Sequence, residues 1–168
     1  MSNFQKVHQF NQTFGVTTHN TPQANIFRED PKLVELRMKL IREEVQELEE
    51  AVKSHDLTET IDALSDILYV VYGAGSSFGI DLDQTFNLVH QSNMSKVCQT
   101  VEEAEQTVAH YQNNADSFNI KNPTQAPVDP AYRKSNTGKY VVYNKTTGKV
   151  LKSVSYQPVS FESYLHMK

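Results

Sequence analysis

LIREEVQELEEAV, residues 40–52, places Glu43, Glu44, Glu47, Glu49 and Glu50 in one run, and the fold depends on how many of these acids face water. Residues on an α-helix advance by about 100° each. On that wheel Val34, Met38, Ile41, Val45, Leu48 and Val52 form one apolar stripe, which Leu33, Leu36, Leu40 and Ala51 widen on one side. Glu44 and Glu47 fall inside the widened side, in line with Leu40 and Ala51. Glu43 and Glu50 lie at its edge, and Glu49 lies away from it. The run therefore divides. A carboxylate placed where a core-facing residue belongs must be paired, protonated or bound to metal, because desolvating it alone is too costly.

The next helical text, LTETIDALSDILYVVYGAGS (57–76), is apolar around nearly its whole circumference and is expected to be central. Its acids, Glu59, Asp62 and Asp66, share one face with Ala63, Val70 and Gly73. The short connection at 54–57 makes the two helices antiparallel neighbours, so Glu44 and Glu47 are expected opposite Glu59 and Asp62. Oxygen ligands from two facing helices describe a site for a hard cation such as Mg²⁺ or Mn²⁺. The competing reading pairs the same acids with Arg37, Lys39 and Arg42 in surface ion pairs. A carboxylate di-iron bundle would need Glu-x-x-His pairs; neither helix offers one, and His55 sits at their junction.

A third helix, DLDQTFNLVHQSNMSK (81–96), carries an apolar stripe of Leu82, Phe86 and Val89 that ends in Asn93 and Lys96. That ending can set a donor and a positive charge at the rim of a pocket, or simply complement the helix dipole. Upstream, Phe4, Val7, Phe10 and Phe14 predict a short helix stopped by Gly15, followed by a polar loop over 15–31. Asp30 and Pro31 start the first long helix, expected over 31–55; the others are expected over 57–76, 81–95 and 101–112. Residues 113–138, rich in Asn, Pro and Ser, read as a linker between a helical domain (1–112) and a C-terminal extension (139–168). In the extension, 139–143 and 149–156 read as a β-hairpin turning near Gly148, and such a hairpin needs something to dock on.

The totals restrict the function. The chain has 168 residues, 38% hydrophobic and 21% charged, with a formal charge of −4. That average gives no general reason to expect a nucleic-acid polymer as partner. Cys98 is the sole cysteine, so no internal disulfide forms, and it lacks the neighbours of a nucleophile. The first residues do not read as a signal peptide, and the most apolar stretch, 67–71, is too short to span a bilayer. The expectation is a cytoplasmic protein that does not enter a membrane.

Taken in order, EExxE (Glu43–Glu47), the ExxD of Glu59–Asp62, DALSDILYVVYG and VHQSNMSK resemble the all-α nucleoside triphosphate pyrophosphohydrolases. That superfamily includes MazG, dimeric dUTPases, dCTP pyrophosphatases and phosphoribosyl-ATP pyrophosphohydrolase. The resemblance covers about residues 30–100, and the GKYVVYNKTTGKVLKS text looks like the appendage of a phosphoribosyl-ATP pyrophosphohydrolase-like subgroup. It implies an all-α antiparallel bundle with a small C-terminal hairpin, assembled as a homodimer or a dimer of dimers. It also implies a Mg²⁺-dependent hydrolase, with Mn²⁺ able to substitute, that cuts between the α- and β-phosphates of a nucleoside triphosphate or phosphoribosyl-nucleotide. Carried over by position, Glu44, Glu47, Glu59 and Asp62 are the metal ligands and Glu43 orients or deprotonates the attacking water. Lys96 and Asn93 contact phosphate, Arg37 neutralises charge near it, and Asp66 supports the ligands or adds to them. Tyr69 and Asn11, with His19, Asn20 and Tyr72, are the candidates for touching base or ribose. The rival classes are a regulatory protein that binds metal and nucleotide without turnover, and a purely structural helical oligomer.

Overall fold

The computed structural model describes residues 1–121 and 127–165. Its helices are α1 (Asn3–Thr13), α2 (Ile26–Glu29), α3 (Pro31–Ser54), α4 (Leu57–Phe78), α5 (Leu82–Met94), α6 (Val101–Asn113), α7 (Ala115–Lys121) and α8 (Glu162–Leu165). One two-stranded sheet pairs β1 (Pro130–Lys134) with β2 (Tyr140–Asn144). This is the helical architecture with a small β element that the sequence leads one to expect. No single helix among the described residues is long and apolar enough to cross a membrane.

The local chemistry accounts for the helix ends. Ser2 and Gln5 form a reciprocal capping box at the start of α1. The Asp30 carboxylate accepts from the Leu33 N–H with Pro31 in the first turn of α3. Asp56 accepts from the N–H groups of Thr58 and Glu59 to open α4, directly after His55 closes α3 in a left-handed conformation (φ 57°). Gly79 (φ 73°) closes α4, and a β-carbon there would collide with the Thr21 carbonyl, so only glycine lets the 15–25 loop lie against this corner.

The chain forms two compact units, residues 1–87 with 161–168, and residues 88–160. In the first, α3 and α4 form an antiparallel pair and α1 lies along α4. The buried stretch of α4 is Gly73, Ala74, Gly75, Ser76 and Ser77, whose small side chains let neighbouring backbone approach closely. The expectation that α4 is central throughout holds only for that C-terminal half. In the N-terminal half Leu57, Ile61, Leu64 and Leu68 stand exposed. On α3 the buried residues are Leu33, Arg37 and Ala51, whereas Met38, Val45 and Val52 of the main apolar stripe are exposed. The face of α3 that meets α4 is thus the widened side, the one that includes Glu44.

In the second unit the core is Cys98, Ala104 and Val142, with Val108, Tyr140 and Leu151 packed against it. The hairpin registers Pro130 with Asn144 and Lys134 with Tyr140. Cys98 exchanges two backbone hydrogen bonds with Tyr140, and Val150 bridges to Tyr143, so chain flanks both edges of β2. The expected pairing of 139–143 with 149–156 is present in short form, as the Tyr143–Val150 bridge with the Leu151 N–H donating to the Val142 carbonyl, while the longer ladder of β2 is with β1 through a turn at 135–139. The expected linker contains α7 and β1, and α6 packs on the strands of the second unit. Pro130 and the short PAYRK run concealed an edge strand, where proline is tolerated because one side of the ladder needs no donor. Residues 122–126 of that expected linker lie outside the described residues.

Candidate functional site

The acids on α3 and α4 are brought together by antiparallel geometry. Counting outward from the His55–Asp56 turn at equal rise per residue, Glu44 comes level with about residue 67 and Glu47 with about residue 64. Asp66 therefore comes level with the stretch between the two glutamates, Asp62 lies about half a turn beyond Glu47, and Glu59 about a turn and a half beyond it. The electrostatics agree. Glu44 is half-buried. Its carboxyl is pushed above the usual glutamate value first by burial, then by the charges of Glu47, Asp66, Glu43 and Asp62. Glu59 is absent from that set and stands exposed in the first turn of α4. Asp66, the acid that the sequence reading set beside the expected ligands Glu44, Glu47, Glu59 and Asp62, stands with them on this pair of helices.

Among the described residues no three His, Cys, Asp or Glu side chains are gathered so that they could hold a metal ion as they stand. What the helices offer is an open row of carboxylates whose charges raise the cost of ionising Glu44. Among the described residues the one ion pair made by Glu43, Glu44, Glu47, Asp62 or Asp66 is Lys39–Glu43, 3.3 Å long and solvent-exposed. The surface-pairing reading fares poorly, since neither Arg37 nor Arg42 pairs with these acids. An all-oxygen donor set with uncompensated negative charge fits a hard divalent cation, which side-chain rotation of exposed acids can accommodate. Glu49 pairs with Lys53 and Glu50 accepts from Gln46, so these two serve the solvated face.

The other expected site residues are placed as follows. Lys96, half-buried, donates from Nζ to Asn93 Oδ1 at 2.6 Å, so the two form one polar group in the second unit. Arg37 is not presented to a phosphate. It is buried (6% exposed), its Nε donates to Ser77 Oγ at 2.9 Å, and its Nη2 has no hydrogen-bond partner. Burial alone lowers its pKa. Two turns before Glu44, this guanidinium is packed into the α3–α4 contact, where it lies 3.4 Å from the point a Gly73 β-carbon would occupy. Asn11 is likewise buried, its Nδ2 spent on the Gly73 carbonyl at 3.4 Å. Tyr69 remains accessible, with Phe10 edge-on at 5.5 Å. The Tyr72 hydroxyl donates to Asp83 Oδ1 at 2.9 Å, and burial together with that bond raises its pKa. His19 Nδ1 donates to the Ser77 carbonyl, which pins the loop, and Asn20 is exposed.

Comparison with known proteins places this arrangement. The chain is 30% identical to uncharacterized protein L479 of Acanthamoeba polyphaga mimivirus, over 98% of this chain and 96% of that protein. The family profile described as phosphoribosyl-ATP pyrophosphohydrolase matches residues 7–93, which run from α1 through the acid-bearing helices to Asn93. With more than half of its length so matched, the chain belongs to the phosphoribosyl-ATP pyrophosphohydrolase family, within the MazG-like all-α superfamily whose chemistry is hydrolysis of pyrophosphate bonds.

Proposed function

We propose that this protein is a Mg²⁺-dependent nucleotide pyrophosphohydrolase, cytoplasmic, that splits the α–β phosphoanhydride of a nucleoside triphosphate or phosphoribosyl-nucleotide into monophosphate and pyrophosphate. The observation that carries the reading is the crowding of Glu47, Asp62 and Asp66 around the half-buried Glu44 on two facing helices. Those four side chains would hold Mg²⁺ or Mn²⁺. When bound, such an ion polarises the phosphoryl group and lowers the pKa of water. Glu43, exposed beside them, orients the attacking water and takes its proton.

The reading includes self-assembly. Leu57, Ile61, Leu64 and Leu68 on α4, with Leu36, Met38, Val45 and Val52 on α3, form an apolar surface that a lone chain leaves in water. A second copy laid across these helices would cover it in a closed homodimer or a dimer of dimers.

The test is pyrophosphate release from canonical and modified nucleoside triphosphates and phosphoribosyl-ATP, with Mg²⁺, Mn²⁺ or EDTA. Release from at least one substrate, abolished by EDTA and cut at least about 100-fold by Glu44→Gln, is the expected result. No release from any member despite stabilisation by metal and nucleotide would replace the enzyme with a nucleotide-binding regulator.

A further inference from the structure

The formal charge of −4 averages two unlike parts. The first unit holds eight Lys and Arg against fifteen Asp and Glu, and the second holds eight against five. Within the second, residues 130–161 contain six cations (Arg133, Lys134, Lys139, Lys145, Lys149 and Lys152) and no acid. The average that argued against a polyanion therefore says little about this sheet.

The strands sort these cations by face. Side chains alternate along a strand, and residues registered across a ladder share a face. Val142 is fully buried and Leu151 packs on the same core, so Tyr143, Val150 and Lys152 point the other way. The register places Ala131 beside Tyr143 and Arg133 beside Val141 on that outer face. Tyr143 also bridges to Val150 across the far edge. Two cation–ring pairs lie in this unit, the first of them on the outer face. The Arg133 guanidinium lies 5.0 Å from the Tyr143 ring centre, and Lys152 Nζ lies 4.6 Å from that of Tyr156. Arg133 and Lys152 are exposed, both rings are partly exposed, and the exposed Lys134 and Lys139 border the turn between the strands.

We propose that this outer face and the adjoining Lys152–Tyr156 pair form a docking surface for single-stranded nucleic acid, with phosphates against Arg133, Lys139 and Lys152 and bases stacked on Tyr143 and Tyr156. A charged groove or face with aromatic platforms at the same spot is what an unpaired strand requires. Its bases offer π-faces, its phosphates offer regularly spaced charge, and neither demands a sequence. The proposal does not rest on the pyrophosphohydrolase reading, since none of these residues belongs to the acid row.

The test is fluorescence anisotropy of labelled dT15 and U15 with the full chain at 50 and 200 mM KCl. About three phosphate contacts predict a fall in affinity of roughly 20-fold between the two salts. The double charge reversal Arg133→Glu/Lys152→Glu is expected to weaken binding at least about tenfold and to flatten the salt dependence. Arg133→Gln/Lys152→Gln repeats the measurement should the reversal unfold the sheet. Tyr143→Leu is expected to lose roughly fivefold or more while keeping the salt slope, as loss of a stack and not of a charge. Lys6→Glu/Lys32→Glu in the first unit is expected to leave binding unchanged. The proposal is overturned by no binding at 50 mM KCl, or by charge-reversed protein that binds as the parent does. Competition by dTMP at equal nucleotide concentration would overturn it in favour of a mononucleotide site. Binding to phosphatidylserine vesicles but not to either oligonucleotide would overturn it in favour of a membrane surface.

Discussion

Replacing Asp66 and replacing Glu59 should have opposite consequences, and the difference can be worked from the helix pair. Asp66 comes level with the stretch between Glu44 and Glu47 and contributes to the field that raises the Glu44 carboxyl. A carboxylate in contact with a divalent ion at about 4 Å contributes between roughly 1 kcal/mol in water and roughly 4 kcal/mol at an effective dielectric of 20, per unit of ion charge. Asp66→Asn should then weaken Mg²⁺ or Mn²⁺ binding at least about tenfold. Glu59 lies seven residues earlier on α4, about 10 Å along the helix axis. At that distance its attraction for a dication in water is about 0.8 kcal/mol, and screening over about one Debye length at 0.1 M salt reduces it to about 0.3 kcal/mol. Glu59→Gln should therefore cost less than about twofold. The assay is thermal unfolding against metal concentration. An ion at 100 times its dissociation constant stabilises by about 2.7 kcal/mol, or about 5–10 °C for a chain of this size. Parent and Glu59→Gln should show that shift with similar midpoints, and Asp66→Asn should need at least about tenfold more metal. Loss of the metal response in Glu59→Gln, with Asp66→Asn unaffected, would refute the antiparallel assignment of the ligands.

Three further outcomes follow from the packing. Gly79→Ala meets both a left-handed backbone and the Thr21 carbonyl, and should cost about 2–5 kcal/mol, lowering Tm by about 5–15 °C. Gly15→Ala, at φ 69° with nothing within 4 Å, should cost only about 1–2 kcal/mol; equal losses in calorimetry would show that the collision is relieved by a small shift of the loop. Hydrogen bonds from Ser2, Tyr72 and the Phe4 N–H hold the Asp83 carboxyl below its usual 3.8 against the opposing effect of burial. Its stabilisation is therefore present above pH 3.8 and lost as pH falls below that value; Asp83→Asn should cost about 1–3 kcal/mol in urea unfolding at pH 7, and the gap should narrow below pH 3.8. A gap that persists unchanged to pH 2 would contradict this sign. Ile61→Glu/Leu68→Glu puts charge on the exposed apolar row and should convert a dimer or tetramer to monomers in sedimentation equilibrium, whereas a parent that is itself monomeric at micromolar concentration would remove the need for a covering copy.

The divided behaviour of the glutamate run was legible from periodicity. So were the helix start at Asp30 and the stop at Gly15, because capping and backbone conformation are set by residues within a few positions of one another. What periodicity could not tell is which side of a broad apolar stripe meets a neighbour. The strongest stripe of α3, with Met38, Val45 and Val52, stays in water, while Leu33, Arg37, Glu44 and Ala51 face α4. Arg37 was misjudged for the same reason, since a cation beside an acidic motif suggests phosphate, whereas packing seals it against Gly73 and Ser77.

The amino-acid sequence by itself determined the longer helices α1, α3, α4, α5 and α6, their order, the tight α3–α4 turn and the presence of an acid row, because each depends on local chemistry and spacing. Only the tertiary structure decided that Arg37 is sealed against Ser77 and Gly73, that β1 joins β2 on the edge opposite Val150, and that Arg133 and Lys152 lie over tyrosine rings. Those outcomes depend on which surfaces of separate elements come into register, and a one-residue shift in pairing would have exchanged every face.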